Sequence, residues 1–163
     1  MIVVLMGVTG SGKSTIGTLL AKRMGTVFAD ADDYHPEANK AKMAAGHPLN
    51  DDDRQPWLET LNGVMRGWHE SGKGGVLACS ALKERYRATL ASGMPEGAVK
   101  FVLLENSKET LEQRLAARKH EYMNPALLDS QIATLEQPKD AVRVANDKDP
   151  AVIVDEILEA VAG

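Results

Sequence analysis

Five short stretches of the chain are almost continuously apolar: Ile2–Met6, Val27–Asp30, Val76–Cys79, Phe101–Leu104 and Val142–Ala145. A strand with one face in water would place a polar residue at every second position. Runs without that alternation are expected of strands covered on both faces. Between them the period becomes helical. Lys13 to Met24 sets Ile16, Leu19, Leu20 and Met24 on one stripe, and Trp57 to Trp68 repeats Trp57, Leu61, Val64, Met65 and Trp68. Asn124 before Pro125 and Asp149 before Pro150 each join a capping side chain to a proline whose fixed φ suits a first turn, so helices are predicted there. Another is expected after Ser107, and one more holds Lys83, Arg85 and Arg87. Strands alternating with helices predict an α/β chain of three layers, a five-stranded parallel sheet flanked by helices on both faces. No repeat or linker divides it, so one domain over residues 1–163 is expected, with its ligands beyond the carboxyl ends of the strands.

Composition narrows the partners. The 163 residues are 44% apolar and 26% charged, with a net charge of −4, ordinary for a soluble globular chain. No basic run lies at either end, which argues against nucleic acid or an anionic membrane as the partner. An anionic small substrate would have to be met by local Lys and Arg. Ile2–Met6 is too short to span a bilayer, and no charged segment precedes it as in a signal peptide. The single cysteine, Cys79, cannot form an intrachain disulfide and is expected as a buried thiol in a cytoplasmic protein.

Chemistry enters at Gly7-Val8-Thr9-Gly10-Ser11-Gly12-Lys13-Ser14, followed by Thr15. It matches G-x-x-x-x-G-K-[ST] between a strand and a helix, the pattern of a P-loop. Glycines let successive N–H groups point into one concavity that binds the phosphates of ATP; Lys13 neutralises their charge and the Ser14 hydroxyl coordinates Mg2+. A turn that merely joined strand to helix would not require Gly, Lys and Ser at these places. A GTPase would carry Asn-Lys-x-Asp to read guanine, whereas Asn146-Asp147-Lys148-Asp149 has the wrong order. A motor ATPase would end an apolar strand in a Mg2+-holding Asp, but Val76–Cys79 runs into Ser80. Carboxylates follow the second strand instead. In an extended segment Asp30 and Asp32 point the same way, so one can serve the metal while the other accepts a proton; a helix cap or turn would use the same residues.

The stretch Asp32-Asp33-Tyr34-His35-Pro36, then Asn39, Lys42-Met43 and Gly46-His47-Pro48-Leu49-Asn50-Asp51-Asp52-Asp53-Arg54-Gln55-Pro56-Trp57-Leu58, resembles the gluconokinase family. So do Cys79-Ser80-Ala81-Leu82-Lys83 with Tyr86-Arg87, Arg114-Leu115-x-x-Arg118, and Gln131-x-x-Thr134-Leu135-Glu136. The resemblance runs from the P-loop to about Pro138. It implies a P-loop NTPase fold of nucleoside-monophosphate-kinase type, transfer of the ATP γ-phosphoryl to the 6-hydroxyl of D-gluconate, and a cytoplasmic homodimer. Asp32 is then the expected base and Asp30, with Ser14, the metal ligand. Arg54 offers a planar fork to the substrate carboxylate, Lys83 and Arg87 add charge, and His35 can donate or accept toward a hydroxyl. Each has a plainer reading: Arg54 could pair with Asp51 to Asp53, themselves the acidic first turn of a helix entering at Pro56, and Lys83 to Arg87 could form a solvated face.

Arg114 and Arg118 lie four apart on one helix face, and in this class such arginines belong to a lid, here about residues 118–128, that closes over ATP. Many members show Gly-His-aromatic beyond the lid arginine and its neighbour; this chain reads Lys119-His120-Glu121-Tyr122, so no role passes to a lid histidine. Two further readings stay open at this stage. A kinase of nucleotides or shikimate would lack PLNDDDRxPWL and CSALK, and a non-catalytic P-loop binder would not need the Asp30/Asp32 pair.

Overall fold

The computed structural model describes residues 1–8, 10–117, 125–139 and 141–162, and for residue 117 and residues 125–127 the backbone alone. In chain order the elements are β1 (Ile2–Met6), α1 (Lys13–Met24), β2 (Phe28–Asp30), a 3-10 turn (Ala31–Tyr34), α2 (Glu37–Ala44), α3 (Asp51–Ser71), β3 (Gly75–Ala78), α4 (Glu84–Ala91), β4 (Val99–Glu105), α5 (Lys108–Ala117), α6 (Pro125–Thr134), β5 (Val142–Ala145) and α7 (Pro150–Ala162). The sheet is wholly parallel in the order β2-β3-β1-β4-β5. The expected five strands are all present, shifted by a residue or two except at β1 and β5.

β1 shows why its apolar run is continuous. Ile2, Val4 and Met6 face a core built with Leu58, Leu61 and Met65 of α3 and Leu90 of α4. Val3 and Leu5 face the opposite core, with Ile16 and Leu20 of α1 and Ile153, Val154 and Ile157 of α7. Period-two side chains thus supply both layers, and each β1 residue is fully or almost fully buried. Helix α1 lies so close to β2 that a Cβ on Gly17 would fall 2.4 Å from Phe28 Cε1. Cys79 is buried as expected, and burial pushes its thiol up to about 12.

Three local expectations are corrected. Helix α3 starts at Asp51, ahead of Pro56, because Asn50 and Asp53 form a capping box: Asp53 N–H donates to Asn50 Oδ1 (2.8 Å) and Asn50 N–H to Asp53 Oδ2 (2.9 Å). Asp51 to Asp53 are its acidic first turn, as expected, and only the entry at Pro56 fails, since that proline lies inside the helix. Lys83 is not within α4 but sits at its N-cap position, with its side chain turned to Asp51 instead. The segment after β2 is not extended either: Asp30 Oδ1 accepts from Asp32 N–H (3.0 Å), which winds residues 31–34 into the 3-10 turn.

Candidate active site

The loop between β1 and α1 opens at the carboxyl end of the central strand. Gly7, Gly10 and Gly12 take φ of 147°, 79° and 94°, where a side chain would be strained. At Gly12 there is also no room, since a Cβ would sit 2.5 Å from Asn146 Nδ2. Lys13 Nζ folds back over the loop to donate to the carbonyls of Gly7 (2.9 Å) and Val8 (3.1 Å). Thr9 lies outside the described residues. The Ser11 hydroxyl is buried with no hydrogen-bond partner among them, while Thr15 is exposed beside Ser14 on the first turn of α1.

The outer side of this loop is held by two asparagines that sequence reasoning missed and by the predicted Arg114. Asn146 and Asn106, just past β5 and β4, both donate to the Ser11 carbonyl, at 2.8 and 3.2 Å. Arg114 of α5 donates to the Gly10 carbonyl (3.0 Å), to Asn106 Oδ1 (2.7 Å) and to the Asn146 carbonyl (3.3 Å). The predicted nucleotide-site arginine therefore grips the loop itself. The two asparagines were legible by position, since sites in such sheets gather at strand ends. Arg118 and the lid motif with His120 and Glu121 lie outside the described residues.

Next to the loop, Ser14 Oγ donates to Asp30 Oδ2 at 3.3 Å, so the two predicted metal-binding groups meet. Asp32 turns outward, 85% exposed, with one oxygen 3.9 Å from His35 Nε2. Its pKa is raised, first by desolvation from the protein beneath it and then by the charge of Asp30; His35 and Lys13 oppose this. His35 is stacked on Trp57 of α3, ring centroids 4.3 Å apart, and burial there lowers its pKa. Trp57 is itself fixed by donating Nε1–H to the Ala31 carbonyl (2.7 Å).

The cations predicted to meet the acceptor divide. Arg54, Lys83 and Arg85 gather round Asp51 at 3.8, 3.5 and 2.9 Å, and the Tyr86 hydroxyl donates to the same carboxylate at 2.5 Å. The tyrosine hydrogen bond leads in holding Asp51 below the usual carboxylate range, with Lys83 and Arg85 adding to it. Arg87 is elsewhere. It is buried, and its guanidinium donates to the carbonyls of Glu136 (2.6 Å), Leu82 (3.4 Å) and Lys83 (3.4 Å), tying α4 to the segment after α6. The solvated-face reading of these basic residues fails for Arg87 and Lys83, and the expected pairing of Arg54 with an aspartate holds alongside its place in the cluster.

Comparison with known proteins adds the family. The AAA domain profile matches residues 2–138. A protein named as a probable gluconokinase from Xenopus tropicalis is 49% identical over 96% of this chain and 91% of its own length. The chain belongs to the gluconokinase family. A gluconokinase of Gluconobacter oxydans is 43% identical over 95% of the chain and 88% of its own length. The crystal structure of a gluconokinase from Sinorhizobium meliloti 1021 matches with a TM-score of 0.86 at 39% identity, covering 99% of this chain and 91% of that one. The parallel sheet and its loop are those of P-loop kinases of the nucleoside-monophosphate-kinase type. Among the described residues no helix is long and apolar enough to cross a membrane.

Proposed function

We propose that this gluconokinase-family chain transfers the γ-phosphoryl of ATP to the 6-hydroxyl of D-gluconate, forming 6-phospho-D-gluconate and ADP. One observation carries the reading: a run of groups with the phosphate-type loop and Lys13 at one end, the Asp30/Asp32 pair and His35 next, and Arg54, Lys83 and Arg85 clustered round Asp51 at the other. Such a run suits a substrate with a phosphoryl donor on one side and a carboxylate on the other.

The donor set fits Mg·ATP. Three glycines turn the loop backbone inward, and Ser14 and Asp30 offer the oxygen ligands a hard cation prefers. Bound there, Mg2+ would draw off phosphate charge. Lys13 neutralises the phosphates beside it, and the Gly10 and Ser11 carbonyls, held by Arg114, Asn106 and Asn146, keep the loop in shape. Asp32 is the base: its side chain is exposed beside the loop, and a carboxylate of raised pKa accepts a proton more readily than an ordinary one. Arg54 and Lys83 meet the gluconate carboxylate, and His35 contacts a hydroxyl. Arg87 supports the site by fixing α4. Family resemblance alone assigns Arg118 to the charge of the transferring group, and a cytoplasmic homodimer belongs to the same reading.

A coupled ADP-release assay across gluconate, other sugar acids, shikimate and nucleoside monophosphates tests it. Turnover stimulated by a nucleoside monophosphate or shikimate as strongly as by gluconate would refute the assignment.

A further inference from the structure

Asn39 is a buried polar side chain to which the mechanism above gives no part. It stands in the first turn of α2, and its Nδ2 lies 2.9 Å from the Asp53 carbonyl and 3.3 Å from His35 Nδ1. A backbone carbonyl only accepts, so the Asn39 atom facing it is the nitrogen and the orientation of the amide follows. That same NH2 group only donates. The His35 Nδ1 it also faces must therefore present a lone pair, and a neutral ring then carries its proton on Nε2. Nε2 is the atom 3.9 Å from Asp32 Oδ1. The ring cannot exchange its two nitrogens by turning over freely, because its side chain is 7% exposed and stacked at 14° on Trp57.

We propose that Asn39 is a positioning residue: it fixes His35 as the Nε2–H tautomer, so that the histidine offers Asp32 and the acceptor hydroxyl a donor and never a lone pair. The acceptor part rests on the proposed function; the tautomer does not. With the proton on Nε2, the N–H end of the ring is turned toward the Asp32 carboxylate, which at 3.9 Å is too far for a hydrogen bond but is attracted electrostatically and stays open to a hydroxyl proton. With the proton on Nδ1, two lone pairs would face each other and Asp32 would swing away. Asn39 ties this choice to α3 through the Asp53 carbonyl, which belongs to the helix that also supplies Trp57 and Arg54.

The test is nitrogen-15 NMR of histidine-labelled protein at about pH 8, above the ordinary histidine value, with His35 assigned by the signal lost in His35→Gln. The parent should show a bare Nδ1 and a protonated Nε2. Asn39→Asp, which can only accept once ionised, should move a proton onto Nδ1. It should also lower kcat for whichever acceptor the assay identifies by about 10–100-fold, the size seen when a partner orienting a metal-bound histidine is lost, with KM for ATP unchanged. A purely structural asparagine would not shift the proton between the two nitrogens. If Asn39→Asp does not fold, Asn39→Leu serves instead and should give a mixture of tautomers with reduced kcat. A parent with Nδ1 protonated overturns the proposal without any variant. So does a variant that changes the tautomer and keeps the parent kcat. Because the spectra need no substrate, failure of gluconate as acceptor leaves the tautomer result standing.

Discussion

Replacing Arg54 with Gln removes one cation from the Asp51 cluster while leaving its other members in place. The hydrogen bond and ion pair of Arg54 both run through NH1, to Tyr86 Oη at 3.2 Å and Asp51 at 3.8 Å, and the guanidinium lies 5.6 Å over the Tyr86 ring. Its Nε and NH2 edge is the part suited to a carboxylate. A charge-assisted hydrogen bond contributes about 1.5–3 kcal/mol, so losing the fork should lower kcat/KM for gluconate about 10–200-fold. Folding stability should change little. The Arg54–Asp51 pair is partly exposed and long, a kind worth about 0–1 kcal/mol, and Asp51 keeps Lys83, Arg85 and Tyr86. The assay is kcat/KM for gluconate and for D-glucitol, which has CH2OH in place of the carboxylate, in parent and variant at one salt concentration, with a denaturation curve for each. The parent should strongly prefer gluconate, and Arg54→Gln should narrow the preference. Arg54→Lys should not restore it fully, since an ammonium lacks the bidentate fork. An unchanged gluconate-to-glucitol ratio in a folded Arg54→Gln would refute the role given to Arg54 and pass it to Lys83.

Asp32→Asn should cut kcat by about 10²–10⁴, the usual cost of a lost general base, with near-parent KM for ATP; a parent-like kcat from steady-state rates would remove Asp32 from the mechanism. Burial against Trp57 depresses the pKa of His35, so its stabilising contribution is present above the ordinary value of 6.5 and is lost as pH falls from there toward the folded-state value. Urea denaturation across that window should show stability declining with acid less steeply in His35→Gln than in the parent, and equal slopes would contradict the assignment. Gly17→Ala sets about 1–3 kcal/mol of overpacking against Phe28 against about 1 kcal/mol of gained helix propensity. A net loss should appear in thermal unfolding, and a more stable variant would show that α1 and β2 can part.

Much of the fold was legible because its signals are local. An apolar run without alternation marks a strand covered on both faces wherever the strand ends up, and Ile2–Met6 is such a run. Steric rules at Gly7, Gly10 and Gly12 bend the loop whatever surrounds it, so the pairing of that loop with Lys13 and Ser14 was readable from eight residues. The start of α3 was readable in principle too, in Asn50 and Asp53, but Pro56 drew the boundary toward itself.

Tertiary structure decided what the charges do. Asp51 meets Lys83, Arg85 and Tyr86 only because α3 and α4 pack side by side, joining residues more than thirty positions apart. An arginine satisfies a carboxylate, a carbonyl or a substrate equally well in sequence, so nothing local separates Arg54, which reaches the cluster, from Arg87, which is buried against backbone carbonyls. The same holds for His35, whose tautomer depends on an asparagine, a carbonyl from another helix and a tryptophan that closes over its ring. Backbone conformation follows from sterics between neighbours in the chain. Side-chain partnership follows from which surfaces the parallel crossovers bring together, and that is a property of the whole fold.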